Sequence, residues 1–388
     1  MTTAATPASQ PASQPGAPGG RFLEVIRKLG PRFAERAAAA DVEGRFVHDN
    51  YAELKEARVL SALVPSELGG GGATHAEFCQ MLRELAHHCG STALALSMHA
   101  HLVAAAVWRF RHGQPTEALL RKIAASELVL VSTGAGDWVD SVGKAERAPG
   151  GYRVTAIKRF GSGSPVGDLM ITSAPYDDPE RGAEVLVFPV PLKAAGVTVR
   201  NDWDTLGMRA TGSNSIELKD VFVADEAISV RRPRGQWHPS WNVVVTVAPP
   251  IYMAPYVGIA ERAAAVARET AARRAPDPIL FQSLGELENA LTTAQMAFRE
   301  MIELANGFDF EPNTERANRV LVRKTIAANA CIATVNKAVE LVGGSALFRN
   351  VGIERLWRDV QGAPFHPLPE KKQLAFTGRV ALGLSPVG

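Results

Sequence analysis

The sequence predicts a three-zone α+β fold: an N-terminal α domain, a central β domain and a C-terminal helical bundle. Three observations predict it. Residues 21–130 carry apolar side chains at helical spacing, as in FLEVIRKLGPRFAERAAAADVEG. Residues 131–230 hold short β-branched runs such as YRVTAIKRF, LMITSA, EVLVFPV and GVTVR, separated by Gly, Pro and Asp. From residue 240 onward, long Ala-rich helical patterns return. A chain of 388 residues exceeds one ordinary core, so the expected division is a tail at 1–20, a helical domain at 21–130, a β domain at 131–236 and a helical bundle at 237–388.

The first twenty residues, MTTAATPASQPASQPGAPGG, lack the basic and apolar segments of a secretory signal and read as a disordered tail. VPSELGGGGAT is a loop; its four glycines, 69–72, lack the preceding strand and following helix of a phosphate-binding turn. EFCQMLRELAHHCG is a helix with Gly90 as its expected C-cap, and STALALSMHAHLVAAAVWRFRHG closes on Gly113. The β runs fit a small antiparallel sandwich or barrel. The first bundle helix is expected over YVGIAERAAAVARETAARR, from Tyr256, with Pro276 just beyond it. A second ends near Gly307, and a third runs from a cap at Asn313 or Thr314 to Gly343. IERLWRDVQG is a shorter piece, and a last helix follows Pro369.

Hydrophobic residues make up 46% of the chain and the formal net charge is +2, so neither nucleic acid nor an anionic membrane is expected as a partner. No apolar run reaches transmembrane length. Cys79, Cys89 and Cys331 are scattered core residues, which suits a reducing compartment such as the cytoplasm. There is no HExxH, CxxC, Walker or GxSxG string, and no metal is expected. His99 and His101 are i, i+2 and point to different sides of a helix; His99 is the candidate for the substrate pocket. Tyr252, in an aromatic group with Trp237, Trp241 and Tyr256, is a second substrate candidate and hints at a flat or apolar molecule.

Several local strings, in order, resemble the acyl-CoA dehydrogenase superfamily. They are STGAGDW at 132–138, KRFGSGSPVGDLMITSA, DTLGMRATGSNSIELKDVFVADEAI at 204–228, and ELVGGSALFRNVGIERLWRDV. The resemblance implies a helical domain, a β domain and a four-helix bundle, with a flavin (FMN or FAD) between the last two and a homotetramer completing the site. It implies that the backbone at Val131, Ser132 and Thr133 contacts the flavin pyrimidine, with Gly134 and Gly136 allowing close approach. Phe160 takes the position of a stacking aromatic and Ser162 that of a hydroxyl at the ring edge. Gly343 and Gly344, with Arg273, fall near the dinucleotide end. Glu340 stands where the family often has an amide, and RRAPDPILFQ lacks the usual Phe-Gly after its arginines, which suits a shorter flavin such as FMN.

One stretch departs from the dehydrogenase pattern. In RDVQGAPFHPLPEKKQ the position of the family's catalytic Glu falls on Pro367, and the alternative acid position falls near Ala248. His366 stands one residue earlier. This pattern is similar to the reduced-flavin monooxygenase branch, typified by dibenzothiophene monooxygenase, where a His of near-neutral pKa can move protons. The resemblance then implies O2 and a small organic substrate, aromatic ones among the candidates, with reduced flavin supplied by a separate reductase. Two other readings remain open: an FAD-dependent acyl-CoA dehydrogenase with an atypical base, for which Glu370 is the nearby carboxylate, and a flavin-binding protein without turnover.

Overall fold

The computed structural model describes residues 18–133 and 137–388. The expected tail lies outside the described residues except for 18–20, which begin a helix. The N-terminal zone is α1 (Pro18–Glu43), α2 (His48–Glu56), α3 (His75–His88), α4 (Gly90–Arg111) and α5 (Glu117–Ser126). The β zone is β1 (Leu130–Ser132), β2 (Lys144–Ala148), β3 (Gly151–Gly161), β4 (Leu169–Asp178), β5 (Gly182–Pro191), β6 (Val197–Val199), β7 (Asn214–Ala224) and β8 (Val230–Pro233). Then follow α6 (Ser240–Ala271), α7 (Pro278–Ala305), α8 (Thr314–Val342), α9 (Ile353–Val360) and α10 (Glu370–Ala381). The order is helices, sheets, helices, as the sequence predicts.

The strands form two four-stranded sheets, β1-β4-β5-β8 and β2-β3-β7-β6, which enclose a core of Val154, Phe188, Ile216 and Leu218 among others. Along β3 buried and exposed residues alternate, the pattern of a strand with one face on a core. The antiparallel expectation fails at one place: β1 runs parallel to β4, pairing Leu130 with Leu169 and Ser132 with Ile171. Between them the chain passes through β2 and β3 of the other sheet, the crossover that parallel pairing needs and a hairpin cannot supply.

The helices correct the sequence reading in three places. Gly90 is not a C-cap; α3 ends at His88, extended Cys89 breaks the chain, and Gly90 opens α4. A Cβ at Gly90 would lie 2.9 Å from Ile259, so its smallness serves the approach of α4 to α6. Second, α6 begins at Ser240, sixteen residues before Tyr256. Pro249, Pro250 and Pro255 each remove a ladder donor, which argues against a helix there. Burial of nearly every side chain from Asn242 to Ala260 overrides that penalty. Third, two helices are long and apolar enough by composition to cross a membrane, Gly90–Arg111 and Ser240–Ala271, contrary to expectation. Their apolar windows are 89% and 94% buried within the protein, so both are core helices. Other boundaries fall as predicted: Asn313 caps α8 by accepting from Arg316 N–H at 2.8 Å, and Gly343 follows its end. Asp277 caps α7, accepting from Ile279 N–H.

The string DTLGMRATGS owes its composition to a junction of three elements. Arg358 of α9 donates to Asp41 of α1 at 2.5 Å and to the Leu206 carbonyl at 3.0 Å. The next residue, Asp359, accepts from Met208 N–H at 2.5 Å. Arg209 donates back to the Asp41 carbonyl at 2.8 Å. A side chain on Gly207 would strike the Arg358 carbonyl. The β domain is thereby fastened to both helical zones.

Burial raises the Asp359 carboxyl to about 6. A raised acid pKa contributes stability below the unfolded value near 3.8 that is lost as pH rises through about 6. Asp359→Asn keeps the acceptor and removes the charge. Its melting temperature is expected to equal or exceed that of the wild type at neutral pH. Asp359→Ala, which orphans the Met208 N–H, is expected to lose about 1–3 kcal/mol.

Candidate active site

The β side of the site is built around buried charge. Val131 is wholly buried in β1 and Ser132 nearly so. Thr133 follows and donates its hydroxyl to the Asp137 carboxylate. Gly134 and Gly136, expected at the flavin, lie outside the described residues. Asp137 also accepts from buried Lys158 at 2.7 Å and from Ser141 at 3.2 Å. Arg232, 1% exposed, donates to the carbonyls of Asp137 (2.9 Å) and Val139 (2.6 Å) and lies over the Trp241 ring. Trp138 stacks on the same indole, centroids 4.5 Å apart. Burial lowers the Lys158 pKa, and the Asp137 charge opposes that shift. Two buried cations on two strands thus hold the segment that follows the Gly-Ala-Gly string.

Phe160 ends β3 with φ at +62°, a conformation rare for a bulky residue, and 56% of it remains exposed. Its one aromatic neighbour among the described residues is Trp203, edge-on at 6.0 Å. One face of the ring is thus left without an aromatic partner among the described residues. Ser162 is buried, its hydroxyl 2.7 Å from that of Ser213, which in turn lies 2.7 Å from Thr211. Thr211 donates to the Met208 carbonyl, so this hydroxyl chain reaches the three-way junction.

The helical side centres on His366, in the turn between α9 and α10. Its Nε2 is 2.7 Å from the Tyr256 hydroxyl, and its ring stacks on Tyr252 at 4.9 Å. Tyr252 and Tyr256 are one turn apart on α6, so both face the same way. The Tyr252 hydroxyl donates to the Pro367 carbonyl at 2.5 Å. It is therefore committed to the turn, and its ring is buried against His366. Burial drives the Tyr256 phenol well up and the His366 imidazolium well down, with Lys324 and His101 adding to the latter shift. A neutral imidazole beside a protonated phenol follows. The phenol can donate to Nε2 or accept from it, so Nδ1 can present either a proton or a lone pair.

His99 is corrected. Leu130 N–H donates to its Nδ1 at 3.0 Å, and its Nε2–H donates to the Leu60 carbonyl at 2.9 Å. Both nitrogens are spent, the ring is 1% exposed, and its pKa is lowered to about 4 by burial. His99 is a strut tying α4 to β1. His101, two residues on, is half-buried, its Nδ1 is 3.3 Å from the Ser97 carbonyl, and a charge on it would bear on His366. Sequence spacing says that the two diverge but not which way; that choice is made by helix packing. Tyr256 was visible as an aromatic, and only its distance from His366 marks it out.

At the far end, Gly343 has φ +69°, Gly344 and Arg273 are exposed, and Arg274 reaches the Val342 carbonyl at 3.5 Å. Glu340 pairs with Lys337 at 3.0 Å, which offsets its charge. Ala248 is buried in α6, and Glu370 opens α10 in the favourable N-terminal position for a carboxylate.

Comparison with known proteins now decides the family. The acyl-CoA dehydrogenase N-terminal domain model matches residues 22–127, and the C-terminal domain model matches 251–368. The chain belongs to the acyl-CoA dehydrogenase superfamily. Dibenzothiophene monooxygenase of Mycolicibacterium goodii is 26% identical over 93% of each chain. Amino sugar nitrososynthase of Streptomyces rubradiris is 26% identical, over 98% of this chain and 94% of its own. Among solved structures, KijD3 in complex with FMN and dTDP-3-amino-2,3,6-trideoxy-4-keto-3-methyl-D-glucose superposes with TM-score 0.86 at 26% identity, covering 95% of each.

Removing Asp137 would leave Lys158 buried without a counter-charge. Asp137→Ala is expected to lower unfolding stability in urea by about 3–5 kcal/mol. A loss below about 1 kcal/mol would show that the pair does not hold this wall.

Proposed function

We propose that the protein is a two-component monooxygenase that uses reduced flavin and O2 on a small organic substrate. The observation that carries this reading is the imidazole of His366, hydrogen-bonded to Tyr256, beside Pro367 where the dehydrogenases of the family keep a carboxylate. The monooxygenase and nitrososynthase relatives support it.

The residues present fit a flavin. The exposed, strained ring of Phe160 offers a stacking face, and the Ser162 hydroxyl two residues on offers a hydrogen bond at a ring edge. We assign the pyrimidine end to the backbone of Val131, Ser132 and Thr133, with Gly134 and Gly136, and the phosphate end to Gly343, Gly344 and Arg273. The cofactor is a flavin, with FMN favoured by the missing Phe-Gly string. When bound and reduced it supplies the two electrons that let one oxygen atom enter the substrate and the other leave as water. His366, neutral and held by Tyr256, moves the proton that this exchange requires. The ring of Tyr252, stacked on His366, is the face nearest the substrate, and His99, with both nitrogens bound, takes no part there.

A separate flavin reductase is the source of reduced flavin, since the chain carries no nicotinamide fingerprint. We further propose a homotetramer and a cytoplasmic setting, the latter from three buried free thiols. The division at 21–130, 131–236 and 237–388 is our proposed domain structure.

The test supplies reduced FMN from a flavin reductase and offers dibenzothiophene and indole as probes. Oxygenated product is expected. In His366→Ala it is expected to fall about 100-fold or more while hydrogen peroxide release rises. Unchanged product in the variant would remove His366 from the chemistry.

A further inference from the structure

The turn that carries His366 is held from below by a charge that the reaction itself does not use. Lys324 lies in the middle of α8 and is fully buried. Its ammonium group donates to the Pro364 carbonyl at 3.2 Å and the Leu368 carbonyl at 3.1 Å. These two carbonyls bracket His366 and Pro367. The Pro367 carbonyl is taken by Tyr252 from α6. Three of the five carbonyls from 364 to 368 are therefore gripped by side chains from two bundle helices.

A lysine in this position is not explained by stability. Burying an ammonium group is unfavourable unless it is paired, and two carbonyl dipoles compensate only in part. Burial lowers its pKa to about 8, with the nearby Glu370 carboxylate opposing the shift. A methionine would fill the same volume without that penalty.

We propose that Lys324 is a positioning residue: its buried ammonium group clamps the 364–368 turn so that the His366 ring stays on Tyr256, and it sets a positive charge beside that ring. This rests on the role of His366 proposed above. Tyr252 and Tyr256 from α6 touch His366, Lys324 from α8 grips the carbonyls on either side of it, and the charges of Lys324 and of His101 from α4 bear on its ring. Beyond them, Asp359 of α9 bears on Tyr256 and Glu370 of α10 bears on Lys324. Lys324 is the only fixed positive charge in this set near neutrality; His101, like His366, is kept neutral by burial. Below pH about 8 the ammonium opposes protonation of His366, and above it that opposition fades as the lysine loses its proton.

Histidine-selective 15N NMR of the full-length protein reads this directly, with the His366 signals assigned by their loss in His366→Ala. In the wild type His366 is expected to remain neutral from about pH 5 to about pH 9, with one stable environment. In Lys324→Met its signals are expected to average between tautomers, and its titration to move up by about one pH unit. Lys324→Gln, which keeps a donor but no charge, is expected to restore the single environment while leaving the titration raised. An unchanged His366 spectrum in both variants would overturn the proposal. So would a titration that moves down.

Turnover gives a second readout. Oxygenated product per reduced flavin is expected to fall about ten-fold in Lys324→Met at unchanged flavin affinity, and the double variant with His366→Ala to be no worse than His366→Ala alone. Additive losses would contradict the clamp. A wild type that oxygenates no probe would defeat the monooxygenase reading, and the NMR comparison would still decide the clamp.

Discussion

One apolar helix organises this molecule. α6 is buried along most of its length and packs against α3, α4, α7, α8 and α9. Any polar group brought against it must find a partner there, because unpaired burial is costly. His75 meets that demand at one ring nitrogen, Nε2, which reaches the Val247 carbonyl at 2.9 Å. Tyr252 and Tyr256 meet it through the turn at 363–368. The candidate catalytic histidine is thus the hydrogen-bond partner that a buried tyrosine requires. Its position follows from the core.

The same economy governs the buried cations. Among the described residues Lys158, Arg232 and Lys324 are the cationic side chains buried to 1% exposure or less. None sits in a symmetrical ion-pair network. Each grips carbonyls or a carboxylate of an irregular segment, at 137–142 on the β side of the candidate site and at 364–368 on the helical side. Loops have few backbone bonds of their own, and a buried cation gives one a fixed anchor where helix or sheet cannot.

Much of this was legible in the sequence. Periodicity gave the three zones because each zone buries one face. The GMRATGS string was recognisable as a motif, and its cause, the contact with Arg358 and Asp359, is a packing fact invisible to spacing. The start of α6 was missed because three prolines outweigh local propensity, while the burial that rescues the helix is entirely tertiary. The place of His366 is legible from the RLWRDV string before it, and its contact with Tyr256 is not. His99 was chosen over His101 because nothing in MHAHL says which side of α4 faces β1. Lys324, in an amphipathic helix among other charged residues, looks like any solvated side chain until its burial is known.

The most direct test of the central claim, that this fold has exchanged a carboxylate for a neutral imidazole and desaturation for oxygen transfer, is a pair of stopped-flow traces. Protein loaded with reduced flavin is mixed with oxygenated buffer, and protein loaded with oxidised flavin is mixed anaerobically with an acyl-CoA thioester. The expected result is a lag before oxidised-flavin absorbance returns, shortened in His366→Ala, with no bleaching by the thioester. Immediate reoxidation without a lag, together with bleaching by the thioester, would contradict it and return the protein to dehydrogenase chemistry.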